Sequence, residues 1–302
     1  MQRTCSKGTN VVNTEGYAER QLPAAPNLSL YYRVYGDVAA TTPVVCLHGY
    51  WRTAKDFEEL AAHLAPRRRV LTPDLRGRGR SGRSTDANDY DFERLAEDVV
   101  TLMDAEGVRR AVFVGVALGA QLTMDLGARM PERVAGIVFN DSAPETVAAS
   151  GHRMKKFSGG DELSADEAMS RLKAQYEEAF PLMDEEAFQR LLYRNYRLTA
   201  DGLYVRDFDQ LTNEGLRRTA RERPTFWAEY ERLPDVPIAV LRGENSDYIT
   251  PEIVERMIAG RRNAKLHIIP DTGHPVMMWE PEAFSAIDDL LAEVDAAESR
   301  AA

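Results

Sequence analysis

Residues 112–120, Val-Phe-Val-Gly-Val-Ala-Leu-Gly-Ala, constrain this chain more than any other stretch. The apolar, β-branched run reads as a buried strand. Gly115 and Gly119, four residues apart, mark a sharp turn into a helix rich in small and apolar residues. Ala117 sits at the tip of that turn. Alanine meets the steric demand for a small residue there, and it brings no oxygen. A G-x-A-x-G pattern is also common where a helix touches a strand, so the turn acquires meaning only from what surrounds it.

The surroundings are an alternation of strands and helices. Leu28–Tyr35, Val44–Leu47, Arg69–Asp74, Ala111–Val114, Val134–Asn140, Ile238–Arg242 and Leu266–Ile269 read as strands. Asp56–Leu64, Phe92–Glu106, Leu118–Met130 and Glu282–Val294 have helical periodicity. Such alternation predicts a parallel sheet. One region breaks it: Glu145–Asp235 is mainly helical in pattern, with Asp161–Phe180, Glu185–Tyr196 and Gly215–Trp227 as helices and Ser164 and Glu167 as a capping box. The expected class is therefore α/β, a mostly parallel central sheet flanked by helices. Residues 1–144 and 236–302 form its two parts, and 145–235 is an inserted helical cap. Residues 1 to about 20 are polar and are expected to be loosely held.

Composition excludes several function classes. A net charge of −10 over 302 residues argues against nucleic acid as a partner. The basic cluster Arg76, Arg78, Arg80 and Arg83 lacks interleaved aromatics and reads as a solvated loop. It is not a P-loop either, since it lacks a Gly-Lys-Ser/Thr ending. No apolar run is long enough to span a membrane, and no apolar signal core opens the sequence. Cys5 and Cys46, in unlike settings, suggest no disulfide and a cytoplasmic chain. No histidines pair at metal-ligand spacing, so neither metal nor other cofactor is expected. His63, His152 and His267 read as structural or solvent-facing. A small-molecule substrate is the expected partner, and homo-oligomer formation is left open.

Four marked sequences follow predicted strands, and ligands bind open parallel sheets at those strand ends. The first is the turn at Ala117. The second is Gly243-Glu244-Asn245-Ser246-Asp247 and the third is Gly273-His274. The fourth is His48-Gly49-Tyr50-Trp51, where glycine allows close backbone approach and the Tyr50 amide can donate to an oxyanion, with the Leu118 amide as second donor. Gly49, Tyr50 and Trp51 are candidate substrate contacts, whereas His48 reads as a structural hydrogen-bonding residue.

Together, Leu47-His-Gly49, Asp74-Leu-Arg-Gly-Arg-Gly-Arg-Ser81, Gly115-Val-Ala-Leu-Gly119, Arg242-Gly-Glu-Asn-Ser-Asp247 and Asp271-Thr-Gly-His274 resemble the α/β-hydrolase superfamily, in the group with a helical cap. The resemblance covers roughly residues 28–145 and 235–294. It implies Ala117 at the nucleophile position, Asp247 as the acid, His274 as the base, and Tyr50 and Leu118 as oxyanion donors. Asp141, just after the strand Val134–Asn140, is a second candidate acid. Asp247 is preferred because its loop is the commoner acid site in this family.

Alanine at position 117 is the departure. The expectation is a serine-type hydrolase of a carboxylic ester or lactone of a moderately hydrophobic small molecule, present as a Ser→Ala variant. Alternatives are a carbon–carbon bond hydrolase on the same fold, a natively serine-less enzyme that works through its His–Asp pair, and a non-catalytic ligand-binding protein. Some aromatics of the insertion (Phe157, Tyr176, Phe180, Phe188, Tyr193, Tyr196, Tyr204, Phe208, Phe226 and Trp227) are expected to line an apolar pocket.

Overall fold

A computed structural model describes residues 16–25, 28–147 and 159–301; Cys5, His152 and Phe157 lie outside them. Among the described residues ten strands form: β1 (Tyr17–Ala25), β2 (Leu28–Tyr35), β3 (Val44–Leu47), β4 (Val70–Pro73), β5 (Ala111–Val116), β6 (Val134–Asn140), β7 (Tyr196–Leu198), β8 (Tyr204–Arg206), β9 (Ile238–Gly243) and β10 (Ala264–Ile269). Eight of them make one sheet in the order β1-β2-β4-β3-β5-β6-β9-β10. The β1–β2 and β2–β4 pairs are antiparallel and every other pair is parallel.

Every residue of β3, β4, β5 and β6 is buried. That is why these strands read as unbroken apolar runs: helices cover both faces of a parallel sheet. The covering helices include α1 (Glu58–Leu64), α2 (Phe92–Ala105) and α3 (Leu118–Arg129). β10 closes one edge and is less buried, with Leu266 and Ile268 exposed. β1 forms the other edge, so the chain is already ordered from Tyr17, earlier than its polar sequence suggests.

Chain order places the site. From β3 the chain crosses to β4 on one side, then returns to β5 on the other. Parallel β3 and β5 are therefore neighbours, with Leu47 opposite Gly115, and their following loops diverge. That divergence makes the crevice in which open parallel sheets hold ligands.

Between β6 and β9 lie α4 (Ala165–Tyr176), α5 (Glu185–Asn195), the β7–β8 hairpin, α6 (Thr212–Glu222) and α7 (Trp227–Glu231). α4 starts at the expected capping box, with Ser164 and Glu167 satisfying each other's backbone N–H groups. The stretch expected to be one helix from Gly215 to Trp227 is divided around Pro224, whose ring and missing N–H oppose helix continuation. This segment has its own apolar cluster, including Leu163, Leu172, Tyr176, Phe188, Leu191 and Tyr196. It is tied to the sheet at several points. Gly79 N–H donates to Asp207 O at 2.8 Å and Asp209 N–H to Gly77 O at 2.7 Å. Arg194 donates to Met277 O at 2.8 Å and pairs with Glu59. α8 (Pro251–Ala259) and α9 (Pro281–Ala301) complete the fold. Among the described residues no helix is long and apolar enough to cross a membrane.

The arginine-rich loop is solvated only in part: Arg80 and Arg83 are exposed, whereas Arg76 and Arg78 are not. Arg76 is buried against Asp98 of α2, with its Nε 2.7 Å and Nη2 2.6 Å from the carboxylate. Arg78 is buried too, donating to Tyr50 O at 3.0 Å. Asp74, wholly enclosed, accepts from Ala54 N–H at 2.7 Å and Arg80 N–H at 2.9 Å. The loop packs as a structural knot beneath the Tyr50 turn.

Candidate active site

The turn after β5 is built from steric necessity. A Cβ on Gly119 would collide with the Leu47 carbonyl of β3, and one on Gly115 would sit 2.7 Å from Gly119 O. Between them Ala117 adopts φ 47° and ψ −108°, a conformation uncommon for a residue with a Cβ. Its N–H donates to Ser142 Oγ at 2.7 Å, and Ser142 in turn donates to Asn140 O at 2.7 Å. α3 begins at the next residue. The amides of Leu118 and Tyr50 have no hydrogen-bond partner among the described residues. Gly49 packs alongside, where a Cβ would lie 3.7 Å from that of Ala117.

His274 projects from the loop after β10 toward the same crevice. Its Nδ1 donates to Asp141 Oδ2 at 2.8 Å, which leaves the Nε2 lone pair available. The ring stacks on Tyr248, with centroids 3.7 Å apart and planes 19° from parallel. Burial pushes the Tyr248 phenol up to about 12, so this stacking face is neutral at ordinary pH. Asn140 clamps the histidine loop to β6: its side chain donates to Val276 O at 2.9 Å and accepts from Val276 N–H at 3.1 Å.

The carboxylate on His274 therefore belongs to Asp141, whereas Asp247 was the expected acid. Asp141 is fully buried, and its carboxylate also accepts from Gly243 N–H at 3.1 Å and Ser246 Oγ at 2.6 Å. The reason lies in the turn after β9. Arg242 donates to Ser246 O at 2.9 Å, and Ser246 N–H closes back on Gly243 O at 3.0 Å. Gly243 is pressed against the 272–273 turn, where a Cβ would lie 2.5 Å from Gly273 O. So constrained, the turn points Ser246 inward and leaves Asp247 exposed. The Gly243–Asp247 motif thus contributes a hydroxyl and an amide that hold the Asp141 carboxylate.

A cavity of about 280 Å³ opens over this centre. Ala117, His274, Gly49, Tyr50 and Trp51 all border it, and Tyr248 forms part of its wall. The Tyr50 hydroxyl donates to Gln121 at 2.6 Å, and Trp51 Nε1 donates to Asn213 of α6 at 2.8 Å. His48 stays beneath, wholly buried. Its Nδ1–H donates to Gly49 O at 2.8 Å and its Nε2 accepts from Leu75 N–H at 2.9 Å. Burial holds it down at about 4, so it is a neutral brace for the Gly49 turn.

The wall contributed by the insertion is less aromatic than expected, although Leu216 and Ala220 keep part of it apolar. Of the named aromatics within the described residues only Tyr176 borders the cavity, and the rest of that wall includes Gln175, Asn195, Arg206, Asn213 and Arg217. Phe180, Phe188 and Tyr196 pack in the insertion's own core, while Phe226 and Trp227 join the main core. Sequence periodicity finds apolar cores readily. It has no purchase on polar residues that converge from two helix ends, a hairpin and a third helix.

Residues 44–287 match the alpha/beta hydrolase family. An alpha/beta hydrolase from Novosphingobium aromaticivorans DSM 12444 superposes with a TM-score of 0.86 at 32% identity, over 92% of this chain and 99% of that one. A 3-hydroxybutyrate-oligomer hydrolase from Cupriavidus necator is 27% identical over 278 residues, covering 88% of this chain and 93% of that protein. Esterase YbfF of Escherichia coli K12 is 25% identical over 250 residues, covering 80% and 89% respectively. With a mostly parallel sheet, a sharp turn after its central strand and a match across most of its length, the chain belongs to the alpha/beta hydrolase family.

Proposed function

We infer that this chain is a carboxylic-ester hydrolase of the serine type whose nucleophile position is occupied by alanine. One observation carries the reading: Ala117, at the strained tip of the turn, faces the same cavity as a histidine held by a buried, triply hydrogen-bonded carboxylate. The relative named as an esterase supports the ester class. The segment between β6 and β9 acts as a cap over the site, dividing the chain near residues 145 and 235.

With serine at position 117, His274 Nε2 would accept the hydroxyl proton as oxygen attacks the ester carbonyl. Asp141 would stabilise the imidazolium that forms, and the unpartnered amides of Tyr50 and Leu118 would receive the developing oxyanion. The histidine would then return the proton to the leaving alcohol. As the chain stands, position 117 offers only a methyl group. The covalent route is closed, while the cavity and its amide donors remain.

Ala117→Ser should hydrolyse 4-nitrophenyl acetate with a burst of nitrophenol and a turnover raised by about 10⁴-fold or more. An Ala117→Ser protein inert to aryl esters and lactones overturns the reading. Turnover by the unaltered chain that His274→Ala abolishes would instead assign catalysis to the His–Asp pair acting on water or on a substrate proton.

A further inference from the structure

The cavity's charge is opposite to that of the molecule. The chain carries a net charge of −10, yet three arginines and no carboxylate border this cavity. Arg52 is neutralised by Asp56, with its Nη2 2.6 Å from one carboxylate oxygen. Arg206, at the end of β8, is not. It is 5% exposed and has no ion-pair partner among the described residues. Its neighbour Asp207 is engaged elsewhere, with Arg83 at 3.3 Å and Arg197 at 3.7 Å.

Arg206 makes only neutral contacts. Nη1 donates to Asn195 Oδ1 at 2.5 Å and Nη2 to Gln175 Oε1 at 3.1 Å. The guanidinium lies 4.6 Å from the centroid of the Tyr196 ring, and its buried Nε has no hydrogen-bond partner. The same Asn195 oxygen also accepts from Arg52, and the Asn195 amide is fixed in that sense by donation to Leu191 O at 2.8 Å. Two like-charged guanidiniums thus share one amide oxygen, with one carboxylate between them. A buried charge left uncompensated is costly, and such charges are normally paired. Arg217, on α6 at the cavity's exposed rim, adds a third positive charge and also has no ion-pair partner among the described residues.

We propose that the cavity takes an ester carrying a free carboxylate at a distance from its scissile carbonyl, with Arg206 and Arg217 as the carboxylate-binding residues. The proposal rests on the hydrolase reading for the ester end of the ligand. The carboxylate end rests on the arginines alone. A guanidinium matches the planar, two-oxygen carboxylate better than any other cation.

Because Ala117 cannot form an acyl-enzyme, the chain itself serves for binding measurements. Monoethyl esters of linear dicarboxylic acids from malonate to suberate are titrated against the corresponding diethyl esters, following intrinsic tryptophan fluorescence, to which Trp51 at the cavity contributes, and calorimetric heat. At one chain length or more, the half-ester should bind at least ten-fold tighter than its diester. Arg206→Gln should lower that ratio by ten-fold or more and Arg217→Gln by about three-fold, while Arg206→Lys should retain part of it. Absence of preference at every length overturns the proposal, as does a preference unchanged in both glutamine variants. In the Ala117→Ser background the two readings separate. Half-ester preference without hydrolysis keeps the carboxylate site and removes the hydrolase reading. Hydrolysis of esters with no preference for half-esters does the reverse.

Discussion

At the scale of single residues, contact favours Asp141 as the proposed acid. Asp141 is buried and touches the histidine, whereas Asp247 is exposed one residue beyond the serine that braces Asp141. In the Ala117→Ser background, Asp141→Asn should lower kcat by about 10³–10⁴-fold, since the amide can no longer stabilise the imidazolium or fix the ring's tautomer. Asp247→Asn should change kcat by no more than about two-fold, as exposed substitutions usually do. Ester hydrolysis assays on the two proteins decide it, and the opposite ranking would return the acid to Asp247. The linear pattern could not make this choice. Both carboxylates follow strands and both precede His274, and only the geometry of the turn after β9 determines which one faces inward. The buried arginines have the same character. Arg76 and Asp98 are 22 residues apart, and nothing in the Gly-Arg alternation announces their pairing.

At the scale of elements, the turn between β5 and α3 was the most legible part of the chain, because both glycines are required by close approach. Gly119→Ala should destabilise the protein by about 3 kcal/mol, since its Cβ would meet a backbone carbonyl that cannot move without disturbing β3. Gly107→Ala is the matching control: its φ is +66° with nothing within 4 Å, so only the left-handed backbone cost of about 1–2 kcal/mol applies. Urea midpoints compare the two, and equal losses would refute the steric account. The buried parallel strands were legible for a related reason, being almost wholly apolar. β1 escaped notice because an edge strand of sequence YAERQLPAA mixes polar and apolar residues. The β7–β8 hairpin escaped because three-residue strands carry too little periodicity to register.

At the scale of the whole molecule, two enclosed groups set opposing responses to acid. His48 ordinarily titrates near 6.5 and is held at about 4 in the fold. The unfolded chain therefore binds its proton first, and stability is lost as pH falls from 6.5 toward 4. Burial raises Asp74 from 3.8 to about 6, so the folded state takes up that proton first and stability is gained as pH falls from 6 toward 3.8. His48→Gln removes only the first contribution. The stability gap between the parent and His48→Gln should narrow by about 2 kcal/mol between pH 7 and pH 5, read from chemical denaturation at the two values. A constant gap would mean that His48 is not held neutral by the fold.

Asp141 stands before the segment that joins β6 to β9 and His274 after it, so the proposed catalytic pair meets on the sheet, while Arg206 and Arg217 hang from that segment. On the proposed function, appetite and chemistry are thereby written on separate stretches of polypeptide. A lineage that kept the segment's few ties to the sheet could exchange the rest of the overhanging stretch, and with it the molecules it welcomes, while leaving the machinery underneath in place.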